Sequence, residues 1–371
     1  MIRFVVLRLA RVVGVLLMVS FGSFMILNLI PGNPVAAVLG SSGTPQQYAQ
    51  LERQLGLNKP LFHRYLSFLS GLLHGNLGMT ISQPQQRVSS VMGQVVPVTL
   101  EICIIGLVVG LVVGIALGLI AGYRADGFVD KLISAISFGL ISLPSFVAAL
   151  LLAYLFVFHP RVIAVVIFAL IVIGCTNSVV RAYRGGQERR GLTTPQILTL
   201  AISLAIGVVI LLFLPAFPRS GWVTLGSGVG NNLKYAAMPS LALAMSVLPT
   251  YAQVLRAEVR ITMQSDFITI ARAKGMSPMD VVFREAFRPS VMSLVTVAAI
   301  SFGTLLGGTV VVETVFNLPG LGAALVQSIE NKNYPEVQAG VLLLAAAFVV
   351  LTAVVDIAYP FIDPRIRRGG H

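Results

Sequence analysis

Eight stretches of this chain, residues 12–30, 102–123, 132–158, 162–180, 191–218, 235–255, 289–312 and 337–355, contain no charged residue. Each is long enough to cross about 30 Å of hydrocarbon as a helix rising about 1.5 Å per residue. No other property constrains the fold as strongly. Inside a bilayer no water satisfies a stray backbone N–H or C=O, so an isolated apolar segment must close its own hydrogen bonds, as an α-helix does. With 56% hydrophobic and 11% charged residues, the expected fold class is an all-α membrane protein, a polytopic bundle of about eight transmembrane helices.

The net charge of +12 invites a nucleic-acid reading, but the placement of the cations argues against one. Taking the N-terminus as cytosolic, the inner segments hold Arg3, Arg8, Arg11, Arg124, Lys131, Arg181, Arg184, Arg189, Arg190, Arg256, Arg260, Arg272, Lys274, Arg284, Arg288, Arg365, Arg367 and Arg368. The outer set is smaller, and half of it (Arg53, Lys59, Arg64, Arg87) lies in one long loop, where charge bias orients poorly. Both termini are therefore expected in the cytosol. The apolar run after Arg11 exceeds a usual signal-peptide core, so residues 1–30 are expected to be a retained first helix.

Residues 31–98 form the one large external region. Pro31-Gly32-Asn33-Pro34 is a turn signature. Thr44 before Pro45 predicts a short helix through Gln54, and Leu61 to Leu73 has the mixed apolar and aromatic character of a helix at the membrane surface. Pro144 predicts a kink in the third stretch, and residues 314–336, rich in Gly, Pro and Asn, read as an external loop with a short helix. Gly106, Gly110, Gly114 and Gly118 form a small-xxx-small stripe, an interface either within the chain or with a second membrane subunit. Gly303, Gly307 and Gly308 read as packing positions.

The chain has no GxxxxGK(S/T) loop, so it has no recognisable phosphate-cradling loop for ATP and energy must come from elsewhere. The histidines are dispersed, Cys103 and Cys175 lie apart within apolar runs, and neither a metal site nor a disulfide is indicated. No catalytic or cofactor-binding residue is expected. Glu101, Glu313 and Asp356 all sit at the ends of apolar runs, which leaves a proton-coupled or facilitative carrier as the second reading. Pro144, through its kink, and Glu313, through its charge, are the candidates for a translocation path.

One polar device stands out, the segment RAEVRITMQSDFITIARAKGMSPMDVVFREAFR over residues 256–288. Ser265 and Asp266 open a helix that Gly275 ends as a left-handed residue; Ser277, Pro278 and Asp280 open a second helix, and Arg288-Pro289 marks its expected stop. Met279, Val282, Phe283 and Ala286 share one helical face. On the cytosolic side this hairpin suits docking.

Several segments together resemble the permease subunits of dipeptide and oligopeptide ABC importers: ARAKG (Ala271 to Gly275), LGLNKPLFHRYLSFLSGLLHGNLGMTIS (55–82), GGTVVVETVFNLPGLG (Gly307 to Gly322) and DPRIR (Asp363 to Arg367). The resemblance implies six family-like crossings, with residues 159–218 an inserted apolar helix pair that either crosses twice or lies flat on the membrane, leaving the count at six. The chain then divides into a first helix (1–30), an external region (31–98), helices two and three (99–158), the insertion (159–218) and a core with the hairpin (219–371). The family implies a second homologous permease, cytosolic ABC ATPase subunits carrying ATP and Mg, an external solute-binding protein, and a peptide or a related solute such as glutathione, a nickel chelate or haem. Nucleic acid has no part in it. For ATPase coupling the expected residues are Phe267, Ala271, Arg272, Ala273, Lys274, Gly275 and Asp280.

Overall fold

The computed structural model describes residues 2–29, 34–39, 44–54, 56–81, 84–184, 201–203, 205, 208, 217–218 and 220–362. Most of the fifth apolar stretch, Arg189 and Arg190 of the basic inner loop, the turn residues Pro31 to Asn33 and the closing Asp363 to Arg367 lie outside them. Among the described residues the chain is helical, with one isolated antiparallel bridge between Met79 and Arg87. Among the described residues six helices are long and apolar enough to cross a membrane: Val6–Leu29, Val88–Tyr123, Pro160–Asn177, Val229–Thr262, Pro278–Phe316 and Tyr334–Val355. The pair Phe128–Ile141 and Ser145–Phe158 qualifies only jointly. The third stretch is thus broken, because Pro144 lacks an N–H and its ring disfavours helix at Leu143.

Two compact units result, Met1–Phe146 with Pro239–His371, and Val147–Met238. The first opens with α1 (Ile2–Leu29), followed by the short external helices α2 (Pro34–Leu39), α3 (Pro45–Gln54) and α4 (Leu61–Leu73). The capping of α3 follows from its sequence: the Gln47 amide donates to Thr44 Oγ1, while Gln47 Oε1 accepts from the Thr44 N–H at 2.8 Å. Helix α4 rests on α1 through aromatic contacts, Tyr65 meeting Phe21 edge-on at 5.3 Å and its hydroxyl lying 3.0 Å from Ser20 Oγ.

Next come α5 (Val88–Tyr123) and α6 (Phe128–Ile141). Helix α7 (Ser145–Leu152), in the second unit from Val147 onward, passes through a wide turn at Ala153–Phe158 into α8 (Pro160–Arg184). The chain then enters α9 (Val229–Thr262), whose residues from Pro239 onward belong to the first unit.

Glycine determines how α5 meets α9. A Cβ on Gly106 would lie 3.0 Å from Ser240 O, one on Gly114 2.7 Å from Tyr251 Cβ, and one on Gly118 2.9 Å from both Ala252 O and Leu255 Cβ. Gly122 extends the stripe against Val259 at 2.8 Å. The stripe is therefore an interface within the chain, packed on the fully buried Leu243, Tyr251, Leu255 and Val259. Gly303 likewise admits Phe348 at 2.7 Å, and Gly308 faces Ser145 and Leu243, whereas Gly307 faces open space and is no packing position.

The remaining elements are α10 (Asp266–Ala273), α11 (Pro278–Asp280), α12 (Phe287–Phe316), α13 (Leu321–Glu330) and α14 (Tyr334–Ile362). The short helix expected within 314–336 is α13, only 10 residues long and too short to cross.

Candidate functional site

The hairpin is built by its caps. Ser265 holds the extended conformation of an N-cap, but its hydroxyl donates to Thr262 O rather than capping α10. The far end of α10 is a complete Schellman motif: the Gly275 N–H donates to Arg272 O at 3.0 Å and the Met276 N–H to Ala271 O at 3.3 Å, with Gly275 at φ +79°. Ser277 then caps α11, accepting from the Asp280 N–H at 3.2 Å and donating to the Asp280 carboxylate at 2.6 Å.

Arg288-Pro289 does not stop the second helix. A π-turn over Val281–Ala286 carries it directly into α12, giving one run from Pro278 to Phe316. A widened turn just before a proline relieves the clash of its ring with the preceding carbonyls, so the helix continues where a regular α-helix would kink.

Side chains sort differently from the expected face. Ile268, Ala271, Val281 and Ala286 are the hairpin's own core, with Met263 and Met276 against it. Ala271 is therefore internal, because the Schellman turn folds it under Met276, and it is unavailable to a partner. Met279 and Phe283 do not share the buried face of Val282 and Ala286: the π-turn shifts the helical register, and they stand 65% and 52% exposed. Phe267 and Ile270, three residues apart on α10, are 45% and 55% exposed. Arg272, Ala273, Lys274 and Gly275 are exposed beside them, and Asp280 is half-buried. Four large apolar side chains thus project from a small polar elbow. Ile270 went unnoticed in the sequence, although its i+3 spacing from Phe267 carries the signal.

Polar ties fix the hairpin to the bundle. Arg256 makes a bidentate pair with Asp130, its NH2 lying 2.9 Å from Oδ2, and Arg260 pairs with Asp126 at 2.9 Å. Asp130 is 1% exposed and also accepts the Asp126 N–H. Ser293 donates to Glu258 at 2.8 Å, and the Thr262 and Ser290 hydroxyls lie 3.2 Å apart. The turn between α5 and α6, the end of α9 and the start of α12 are thereby joined around the hairpin root. These partners are distant in sequence, and no local pattern foretells them.

Glu313 departs from the expectation of an acid placed on a translocation path. It neither faces water nor stands open to a solute: it is fully buried. Thr99 Oγ1 donates to it at 2.6 Å, the Ala323 N–H donates at 2.9 Å and the Gly322 N–H adds a further bond. Thr99 Oγ1 in turn accepts the Leu321 N–H at 2.7 Å. The carboxylate serves as the N-terminal cap of α13, supplied by α12 across a left-handed Asn317 and a turn in which the Leu318 N–H donates to Glu313 O at 2.8 Å. A Cβ on Gly322 would sit 2.6 Å from Val310 Cα, and one on Gly320 would overlap the Glu313 carboxylate, so the Asn317 to Gly322 turn requires both glycines. Pro144 is exposed at the break between α6 and α7 and touches none of this.

A multi-helix membrane subunit with an exposed apolar elbow belongs to the class of transport components. The chain belongs to the family described as binding-protein-dependent transport system inner membrane component, matched over residues 114–368, and the N-terminal component of that family matches residues 1–100. It is a multi-pass permease subunit of the inner membrane. It is 27% identical over 98% of its length to a Sinorhizobium fredii protein named "Probable peptide ABC transporter permease protein y4tP", covering 99% of that protein. It is 28% identical to the glutathione transport system permease protein GsiC of Escherichia coli (strain K12), covering 99% of each chain.

Proposed function

We propose that this chain is one of two homologous permease halves of an ATP-driven importer of dipeptides, oligopeptides or similar small solutes, received from an external solute-binding protein. The hairpin docks on a cytosolic ABC ATPase that carries the ATP and Mg. The observation that carries this reading is the exposed quartet Phe267, Ile270, Met279 and Phe283 on a doubly capped elbow. Apolar side chains on a rigid, rimmed surface are what a protein partner covers. Phe267 and Ala273 supply contact, Arg272, Lys274 and Asp280 supply polar pairing, and Gly275 sets the turn. Peptides are favoured by the names of the relatives, one of which is a glutathione permease. When the ATPase dimer closes, the docked hairpin moves, and the helices rooted on it shift between inward-open and outward-open states.

The test is Gly275→Asp beside Gly275→Asn in the reconstituted importer. There is open space for a side chain at this position and Asp, like Asn, tolerates the left-handed backbone, so both variants carry the same modest strain, while the added charge of Asp in the docking surface abolishes uptake and substrate-stimulated ATPase activity that Gly275→Asn retains. Full coupled activity in that variant sinks the docking role.

A further inference from the structure

A second site lies on the opposite side of the first unit. A cavity of about 340 Å³ is bounded by α1, the turn after α3, α4 and the start of α14, and three of the side chains lining it are cations, Arg53, Lys59 and Arg64. None of the three has a carboxylate within ion-pair distance among the described residues. Arg64 lies over the Phe24 ring at 5.9 Å from its centroid. No acidic side chain lines the cavity.

Two further donors there are unsatisfied. Gln338 lines the cavity, is 7% exposed, and its amide has no hydrogen-bond partner among the described residues. Tyr334 also lines it, and its buried hydroxyl is unpaired. Buried polar groups are ordinarily bonded, and the empty Tyr334 hydroxyl and the free Gln338 amide beside three cations without carboxylate partners make a place for a multi-oxygen anion.

Depth indicates which anion. Phe24 stands five residues before the end of α1 at Leu29, and Gln338 four residues after α14 begins at Tyr334. At about 1.5 Å per residue the walls reach about 6–8 Å into the crossing helices, close to the thickness of one headgroup layer, about 5–7 Å. Beside the cavity α1 faces outward, with only 17% of its crossing window buried and with Met18, Ile26 and Leu29 exposed. Acyl chains fit such a surface, and a solute passing through the middle of a bundle has no reason to reach it.

We propose that the cavity between α1, α4 and α14 binds the phosphate of an anionic phospholipid, held by Arg53, Lys59 and Arg64 and by the Tyr334 and Gln338 donors. This site is independent of the hairpin reading. The experiment uses the full chain purified with its partner subunits, with native mass spectrometry and thermal melting in the presence of phosphatidylglycerol, phosphatidylcholine or soluble glycerol phosphate. Phosphatidylglycerol is expected to be retained and to raise the melting temperature, with phosphatidylcholine and glycerol phosphate inert. Each of Arg53→Gln, Lys59→Gln and Arg64→Gln weakens retention about fivefold. Tyr334→Phe leaves the lipid-free melting temperature unchanged or higher and weakens retention, an outcome that a merely structural tyrosine does not give. Equal retention of phosphatidylcholine, or indifference to both the cation variants and Tyr334→Phe, overturns the proposal. Binding of glycerol phosphate as tight as that of the lipid assigns the cavity to a free phosphate ester and overturns the lipid.

Discussion

At the scale of single residues, this protein uses glycine and one buried acid where conformation leaves no alternative. Gly275 sits at φ +79° with nothing within 4 Å of where a Cβ would be, so a substitution there acts through backbone strain rather than overlap. Asn tolerates the left-handed region better than Ala, so coupled transport in Gly275→Asn should exceed that in Gly275→Ala, in parallel uptake assays. Thr99 and Glu313 make the opposite case, where bonding rather than backbone decides. Thr99→Val keeps the shape but leaves the Leu321 N–H unbonded and the Glu313 carboxylate short of a donor, a loss of about 1–3 kcal/mol. A lowered melting temperature in Thr99→Val, with Thr99→Ser near wild type, checks this. The positive φ at Gly275 could be read from helix-ending chemistry alone. The role of Glu313 could not, since its donors lie 214 residues upstream and across a turn, and sequence position at the end of an apolar run says only that a carboxylate is near an interface.

At the scale of elements, the helix ends were legible where the capping residues are local. The α3 box at Thr44 and Gln47, the α4 bounds, the α10 end and the α11 cap all follow from neighbouring side chains. The run through Pro289 was not legible, because a π-turn leaves no compositional mark and proline ordinarily ends a helix. The glycine stripe announced a close contact but not its partner, which emerged as α9. Gly114→Ala pushes a methyl into Tyr251 and should lower stability by about 1–3 kcal/mol, read as a drop in the detergent melting temperature. The Asp130–Arg256 pair joins the first turn of α6 to the hairpin root. Arg256→Ala strands a carboxylate that is 1% exposed and should cost about 3 kcal/mol. Exchanging the two residues, Asp130→Arg with Arg256→Asp, should recover part of the loss in melting temperature and of transport, and recovery in neither argues against the pairing.

At the scale of the whole molecule, the apolar stretches and the distribution of Lys and Arg were enough to predict a helical membrane protein, and the quoted motifs to predict its family. Which faces of the helices look inward was not readable from stretches so uniformly apolar. The continuous run from Pro278 to Phe316 has a mechanical consequence. Its 39 residues make a strut about 58 Å long, with the exposed apolar elbow at one end and the Glu313 cap at the other. Gly303 sits against Phe348 between them, nearer the Glu313 end. On the docking function proposed above, a push on the elbow would tilt the run about that contact and swing its far tip less far and the opposite way. Helix α13, tied to the short arm through the Glu313 carboxylate, would follow that swing like the light end of a balance.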